Sequence, residues 1–113
     1  MCIRDSVNAM EKETTFKKEL FDKAQSEGKV VVVSSWIKYC TSCASQMIVL
    51  NKAKNDFKNI EYFSFDVTNK DIANFFNVQY QTTLLIFKDN KEVYRSLGET
   101  SKALIYKALE SSI

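Results

Sequence analysis

The 113-residue sequence predicts an α/β domain, a central mixed β-sheet with helices on both faces. Three observations predict it. Lys29–Val33 and Thr83–Lys88 are short, nearly continuous apolar runs, which read as strands buried on both faces. Segments with apolar residues at helical spacing separate the early strands, so those strands pair in parallel through crossovers. Asp89-Asn90 then turns the chain into the alternating segment Lys91–Leu97, and this hairpin adds an antiparallel edge.

The elements follow in order α-β-α-β-α-β-β-α. Residues 1–13 join no apolar pattern and read as a tail or a sequence-processing artefact, with Met10 a candidate start and no role for Cys2. The domain spans 14–113. Thr14 or Thr15 is the expected N-cap of a first helix carrying Phe16, Leu20, Phe21 and Ala24, and Gly28 ends it. Lys29–Val33 is the first strand, with Ser34 to Tyr39 as its exit. A helix follows from Cys43 to Phe57, with Met47, Leu50, Ala53, Lys54 and Phe57 as its stripe. Ile60–Asp66 is aromatic-rich and strand-like. Lys70–Asn77 reads as a short helix, and Ser101 caps a last helix that carries Leu104, Ile105, Ala108 and Leu109. Phe63, Phe65, Phe75, Phe76 and Phe87 are expected in the core.

Composition excludes several classes of function. Sixteen basic residues oppose 14 acidic ones, a net charge of +2 spread along the chain, which is no nucleic-acid footprint. No apolar run approaches the roughly 18 residues of a membrane span. Residues 1–13 lack the apolar stretch of a secretory leader, which points to a cytoplasmic location. The sequence has no histidine, three cysteines and no proline. A Cys–His nucleophile pair, a four-thiolate site within one chain and a cis-prolyl bond are therefore all excluded.

The chemistry concentrates at Cys40-Thr41-Ser42-Cys43, between a buried strand and a helix. A thiol at or near a helix N-terminus meets unpaired N–H groups and the positive end of the helix dipole, which favour the thiolate. A second thiol three residues on can resolve the mixed disulfide that the first one makes.

In this context the chain resembles the thioredoxin family from Phe16 to Ile113. Val30–Val33, Trp36 and Cys40–Cys43 look like the family's strand-Trp-Cys-Gly-Pro-Cys segment. Asp66-Val67 looks like its acidic strand end, Val78–Lys88 like its strand entry, Asp89–Glu92 like its hairpin turn, and Gly98 like its glycine before the last helix. The resemblance implies a thioredoxin fold and a thiol–disulfide oxidoreductase without cofactor or metal. It further implies a monomer that acts on protein disulfides and is recycled by a reductase. Cys40 is then the nucleophile and Cys43 the resolving thiol. Five departures stand out. Tyr39 replaces the Trp before the first Cys, and Thr41-Ser42 replace Gly-Pro. Ser34 replaces a buried Asp that helps to move the resolving thiol's proton, Thr82 replaces the cis-proline facing the disulfide, and Ile48 replaces a helix-kinking proline. Resolution is therefore expected to be slower.

The supporting residues carry specific expectations. Thr41 and Ser42 present donors to the Cys40 sulfur. Ser34 orients a water. The bond between Gln81 and Thr82 is trans, and Thr82 either begins a strand, offers backbone groups to a substrate strand, or offers its hydroxyl to Cys40. Trp36 and Tyr39 flank the thiols as a contact surface, or Trp36 belongs to the core beneath. Two alternatives to the oxidoreductase are a non-catalytic interaction module with a drifted site and a metal or iron–sulfur site built from two subunits.

Overall fold

A computed structural model of the protein describes residues 15–113. Among the described residues there are four helices, α1 (Lys18–Ser26), α2 (Thr41–Asp56), α3 (Lys70–Phe76) and α4 (Lys102–Ser112), and four strands in the order α-β-α-β-α-β-β-α. The strands are β1 (Val30–Trp36), β2 (Ile60–Asp66), β3 (Thr83–Lys88) and β4 (Lys91–Leu97). They form one sheet in the order β2-β1-β3-β4. β1 runs parallel to β2 and antiparallel to β3, and β3 pairs antiparallel with β4. This is the expected mixed sheet. The expectations at Met10, Cys2 and Thr14 lie outside the described residues.

The valine run is the centre of the molecule. Val31 and Val33 point into a cluster with Phe16, Phe21, Phe63, Phe65 and Phe76, while Val30 and Val32 face Leu50, Ala53, Ile86, Ile105 and Leu109. A strand covered on both faces needs no polar alternation, which explains the uninterrupted run. The first cluster packs aromatic edges against faces, as in Phe16–Phe76 at 5.0 Å and Phe21–Phe76 at 5.4 Å between centroids. Phe75 departs from its expected core position. It is 49% exposed and closes the rim of this cluster against Phe16 and Phe21.

Three boundaries differ from the sequence reading. α1 starts at Lys18 without a side-chain cap. Thr15 is drawn instead to β2. Its hydroxyl accepts from Ser64 N–H at 2.9 Å, and its own N–H donates to Ser64 O at 2.9 Å. Pairing with a strand offers the chain more than a cap does. β1 continues three residues past Val33 because Ser34, Ser35 and Trp36 keep their parallel pairing with β2. α2 begins at Thr41 rather than Cys43 and runs 16 residues, with Ile48 supplying the N–H that a proline would lack. The hairpin turns on Asp89 and Asn90, both at positive φ (54° and 65°), the geometry that matches the twist of paired strands.

Candidate active site

The end of β1 and the start of α2 build the first half of the site. Past Trp36 the chain turns through Ile37, Lys38 and Tyr39, whose φ of 63° brings Cys40 to the N-cap of α2. The Cys40 sulfur takes the place that a serine or aspartate oxygen usually holds and accepts the Cys43 N–H at 3.2 Å. Ser42 Oγ lies 3.4 Å from the same sulfur. Cys43 is on the inward face of α2 with Gln46, Leu50 and Ala53, and is 1% exposed. Cys40 is only partly buried. The two sulfurs are joined as a disulfide across a Cα–Cα distance of 5.2 Å.

The second half is Thr82. It precedes β3 rather than opening it, and its φ is 60°. No peptide bond among the described residues is cis. A β-branched residue in the left-handed region costs about 1–3 kcal/mol, so its surroundings must hold it there. They do so from three sides. Thr82 N–H donates to Ser35 O at 2.9 Å, and Thr82 O accepts from Gly98 N–H at 2.8 Å and from Gln46 Nε2 at 3.5 Å. Ser35 Oγ donates to Tyr80 O and accepts from Thr83 N–H, both at 2.9 Å. The backbone groups of Thr82 are thus engaged inside the protein and do not pair with a substrate strand in this conformation. Its hydroxyl faces the disulfide, 3.0 Å from Cys43 Sγ, 3.5 Å from Cys40 Sγ and 3.0 Å from Ser42 Oγ.

The other residues singled out from the sequence divide. Trp36 is 2% exposed and belongs to the core beneath the site, so of the two flanking aromatics only Tyr39, 98% exposed, presents a surface. Thr41 is exposed at the first position of α2, and Ser42 rather than Thr41 reaches the sulfur. Ser34 is buried, and its hydroxyl bonds to Met47 Sδ at 3.8 Å rather than to either cysteine. It lines a cavity of about 150 Å³ with Asn51, Lys54, Tyr62 and Ser64. Burial pushes the Tyr62 phenol up to about 12, with Tyr106 and Asp56 adding to the effect. Sequence reading missed Ser35 and Gln46. Gln46 left a signal, a polar residue on the apolar stripe of α2. Its amide is 1% exposed and donates to Glu99 O at 2.8 Å, tying α2 to the segment after β4.

The thioredoxin family model matches residues 7–111. The chain belongs to the thioredoxin family. A thioredoxin of Mycobacterium tuberculosis is 31% identical over 90 residues, 78% of each chain. The H-type thioredoxin of Fagopyrum esculentum is 28% identical over 90 residues, 79% of this chain and 78% of the relative. Among solved structures, Trxlp from Edwardsiella tarda superposes with a TM-score of 0.79 at 26% identity, covering 84% of this chain and 95% of that one. Thioredoxin NaTrxh from Nicotiana alata gives 0.76 at 26% identity, covering 84% and 83%. With the paired cysteines in place, this family membership makes the chain a thiol–disulfide oxidoreductase acting on protein disulfides. Among the described residues no cluster of three or more His, Cys, Asp or Glu side chains is assembled, and no helix is long and apolar enough to cross a membrane.

Proposed function

We propose that this chain reduces protein disulfides as a cytoplasmic monomer, with Cys40 attacking and Cys43 resolving, and that a dithiol reductase restores the pair. The observation that carries the assignment of roles is the asymmetry of the two sulfurs. Cys40 is partly exposed at the N-cap, where the Cys43 N–H and the Ser42 hydroxyl point at its sulfur, while Cys43 is 1% exposed beneath it. Those donors stabilise negative charge on Cys40 and so favour it as the attacking thiolate. Tyr39 provides an exposed aromatic next to the attacking sulfur, suited to an extended apolar stretch around a target disulfide. Insulin reduction by dithiothreitol tests the assignment. The wild-type protein accelerates it and Cys40→Ser does not. Acceleration that survives Cys40→Ser would remove Cys40 from the reaction, and no acceleration by the wild-type protein would favour a non-catalytic module. Sedimentation of the reduced protein tests the monomer, and a dimer carrying zinc or iron would favour a thiolate site shared by two subunits.

A further inference from the structure

Resolution of the mixed disulfide requires Cys43 to lose its proton, because the thiolate is the nucleophile. Cys43 is 1% exposed, so bulk water does not take that proton directly. Among the described residues, the only side-chain hydroxyl, carboxylate or amine within hydrogen-bond reach of Cys43 Sγ is the Thr82 hydroxyl, at 3.0 Å. Thr82 is itself 2% exposed, but its oxygen lies 3.0 Å from the hydroxyl of Ser42, which is exposed and sits 3.4 Å from Cys40 Sγ. A line of hydrogen-bonding atoms therefore runs from the buried sulfur to the side of the attacked one. The charged side chains of the flanking segments, Lys38 before α2 and Glu99 after β4, bond to none of these atoms; the Glu99 carboxylate caps Ser101 N–H at 2.9 Å.

We propose that Thr82 and Ser42 form a two-hydroxyl proton relay that serves the resolving thiol in place of a buried carboxylate. Cys43 Sγ attacks Cys40 Sγ as the thiol proton passes to Thr82 Oγ1. Thr82 passes its own proton to Ser42 Oγ, and Ser42 passes its proton to the departing substrate sulfur. The Cys43–Cys40 bond forms, the bond from Cys40 to the substrate breaks, and the electron pair and one proton leave on the substrate thiol. Afterwards Thr82 donates to Cys43 Sγ and Ser42 to Thr82, while Cys40 Sγ keeps the Cys43 N–H. A second observation supports the relay. Thr82 is held at a φ of 60° by Ser35, Gln46 and Gly98, and that strained backbone aims its hydroxyl at both sulfurs.

The relay rests on the reading that Cys43 resolves, and one experiment separates the two. With Cys2 replaced by Ser in every sample, so that it contributes no thiolate, reduced protein mixed with 5,5′-dithiobis(2-nitrobenzoate) releases one thiolate when Cys40 attacks and a second when Cys43 resolves. Cys43→Ser is the control: a second release that survives it defeats the resolving role itself. Thr82→Val keeps the shape and removes the hydroxyl. It should slow the second release relative to the first by about tenfold or more at neutral pH, while Thr82→Ser stays within about threefold of wild type. Because the missing step is removal of a proton, the Thr82→Val deficit should shrink as hydroxide becomes available with rising pH. Ser42→Ala, on the exposed face of α2, should slow the second release by less and add nothing to Thr82→Val. A wild-type second release in Thr82→Val, a deficit that does not shrink with rising pH, or Thr82→Ser as slow as Thr82→Val overturns the relay. If Thr82→Val fails to fold, an unchanged second release in Ser42→Ala overturns it.

Discussion

The two halves of the active site are built by different means. The Cys40 half is local: one strand ends, one helix begins, and the N-cap sulfur receives the N–H of the residue three positions on. The Thr82 half is assembled from distant segments, with Ser35 on β1, Gln46 on α2 and Gly98 after β4 converging on one strained residue. A local device survives much change elsewhere, because its geometry follows from the helix itself. An assembled one depends on every element that meets there, and strain at its centre is tolerated only while all of them hold.

The largest expected effect lies in the local half. Cys43→Ser should leave a stable mixed disulfide between Cys40 and a protein target, seen as a mass increase equal to the target and reversed by dithiothreitol. Cys40→Ser should give no adduct at all, and an adduct on Cys43 in that variant would reverse the two roles.

The assembled half should respond in stability. Ser35→Ala removes a buried hydroxyl that serves Tyr80 O and Thr83 N–H, leaving the latter unpaired, at a cost of about 1–3 kcal/mol in urea unfolding. An unchanged midpoint would mean that the Ser35 hydroxyl does not secure the segment on either side of Thr82. Gly98→Ala tests the other side. A Cβ there meets nothing within 4 Å, so the cost is purely that of a side chain at a φ of +79°, about 1–2 kcal/mol. A larger loss would reveal a packing role for Gly98 that its open surroundings do not show.

The smallest effect comes from the outer anchor. Arg95 donates to Phe76 O at 2.7 Å and to Asn77 O at 3.1 Å, just before the loop that carries Thr82, and pairs with Glu92 at 2.8 Å. The hydrogen bond from Arg95 holds the Glu92 carboxyl below its ordinary range. A lowered carboxyl gives stability that is present above the ordinary range and is lost as pH falls through the folded-state value. The pair is partly exposed, so solvent reduces it to about 0.5 kcal/mol. Wild type should therefore lose that much more than Glu92→Gln on acidification from pH 6 to pH 3. Equal losses would show that Arg95 holds the loop without help from Glu92.

The fold was legible almost throughout. β2, β3 and β4 begin and end where alternation, aromatic content and the Asp89-Asn90 turn place them. The misplaced boundaries have tertiary causes. Thr15 prefers pairing with β2 to capping a helix, and β1 extends through Ser34-Ser35-Trp36 because β2 is there to pair with it. The thiol pair and its place at a helix end were also legible. Its hydroxyl partner was only one of several readings for Thr82, and the supports were not seen: a serine in a strand carries no sign of what it faces, and Gln46, although polar on an apolar stripe, does not reveal its partner.

The sequence by itself determined what depends on neighbours along the chain: the strands, the helices, the hairpin, and a sulfur at or near the N-terminus of α2. Only the tertiary structure decided what surrounds the second sulfur. Thr82 lies 39 residues from Cys43, and its hydroxyl reaches that thiol because the sheet order and a strained φ bring it there. Hydrogen bonds act over about 3 Å in space and have no reach along the sequence, so the partners of a buried thiol are fixed only once the chain has folded around it.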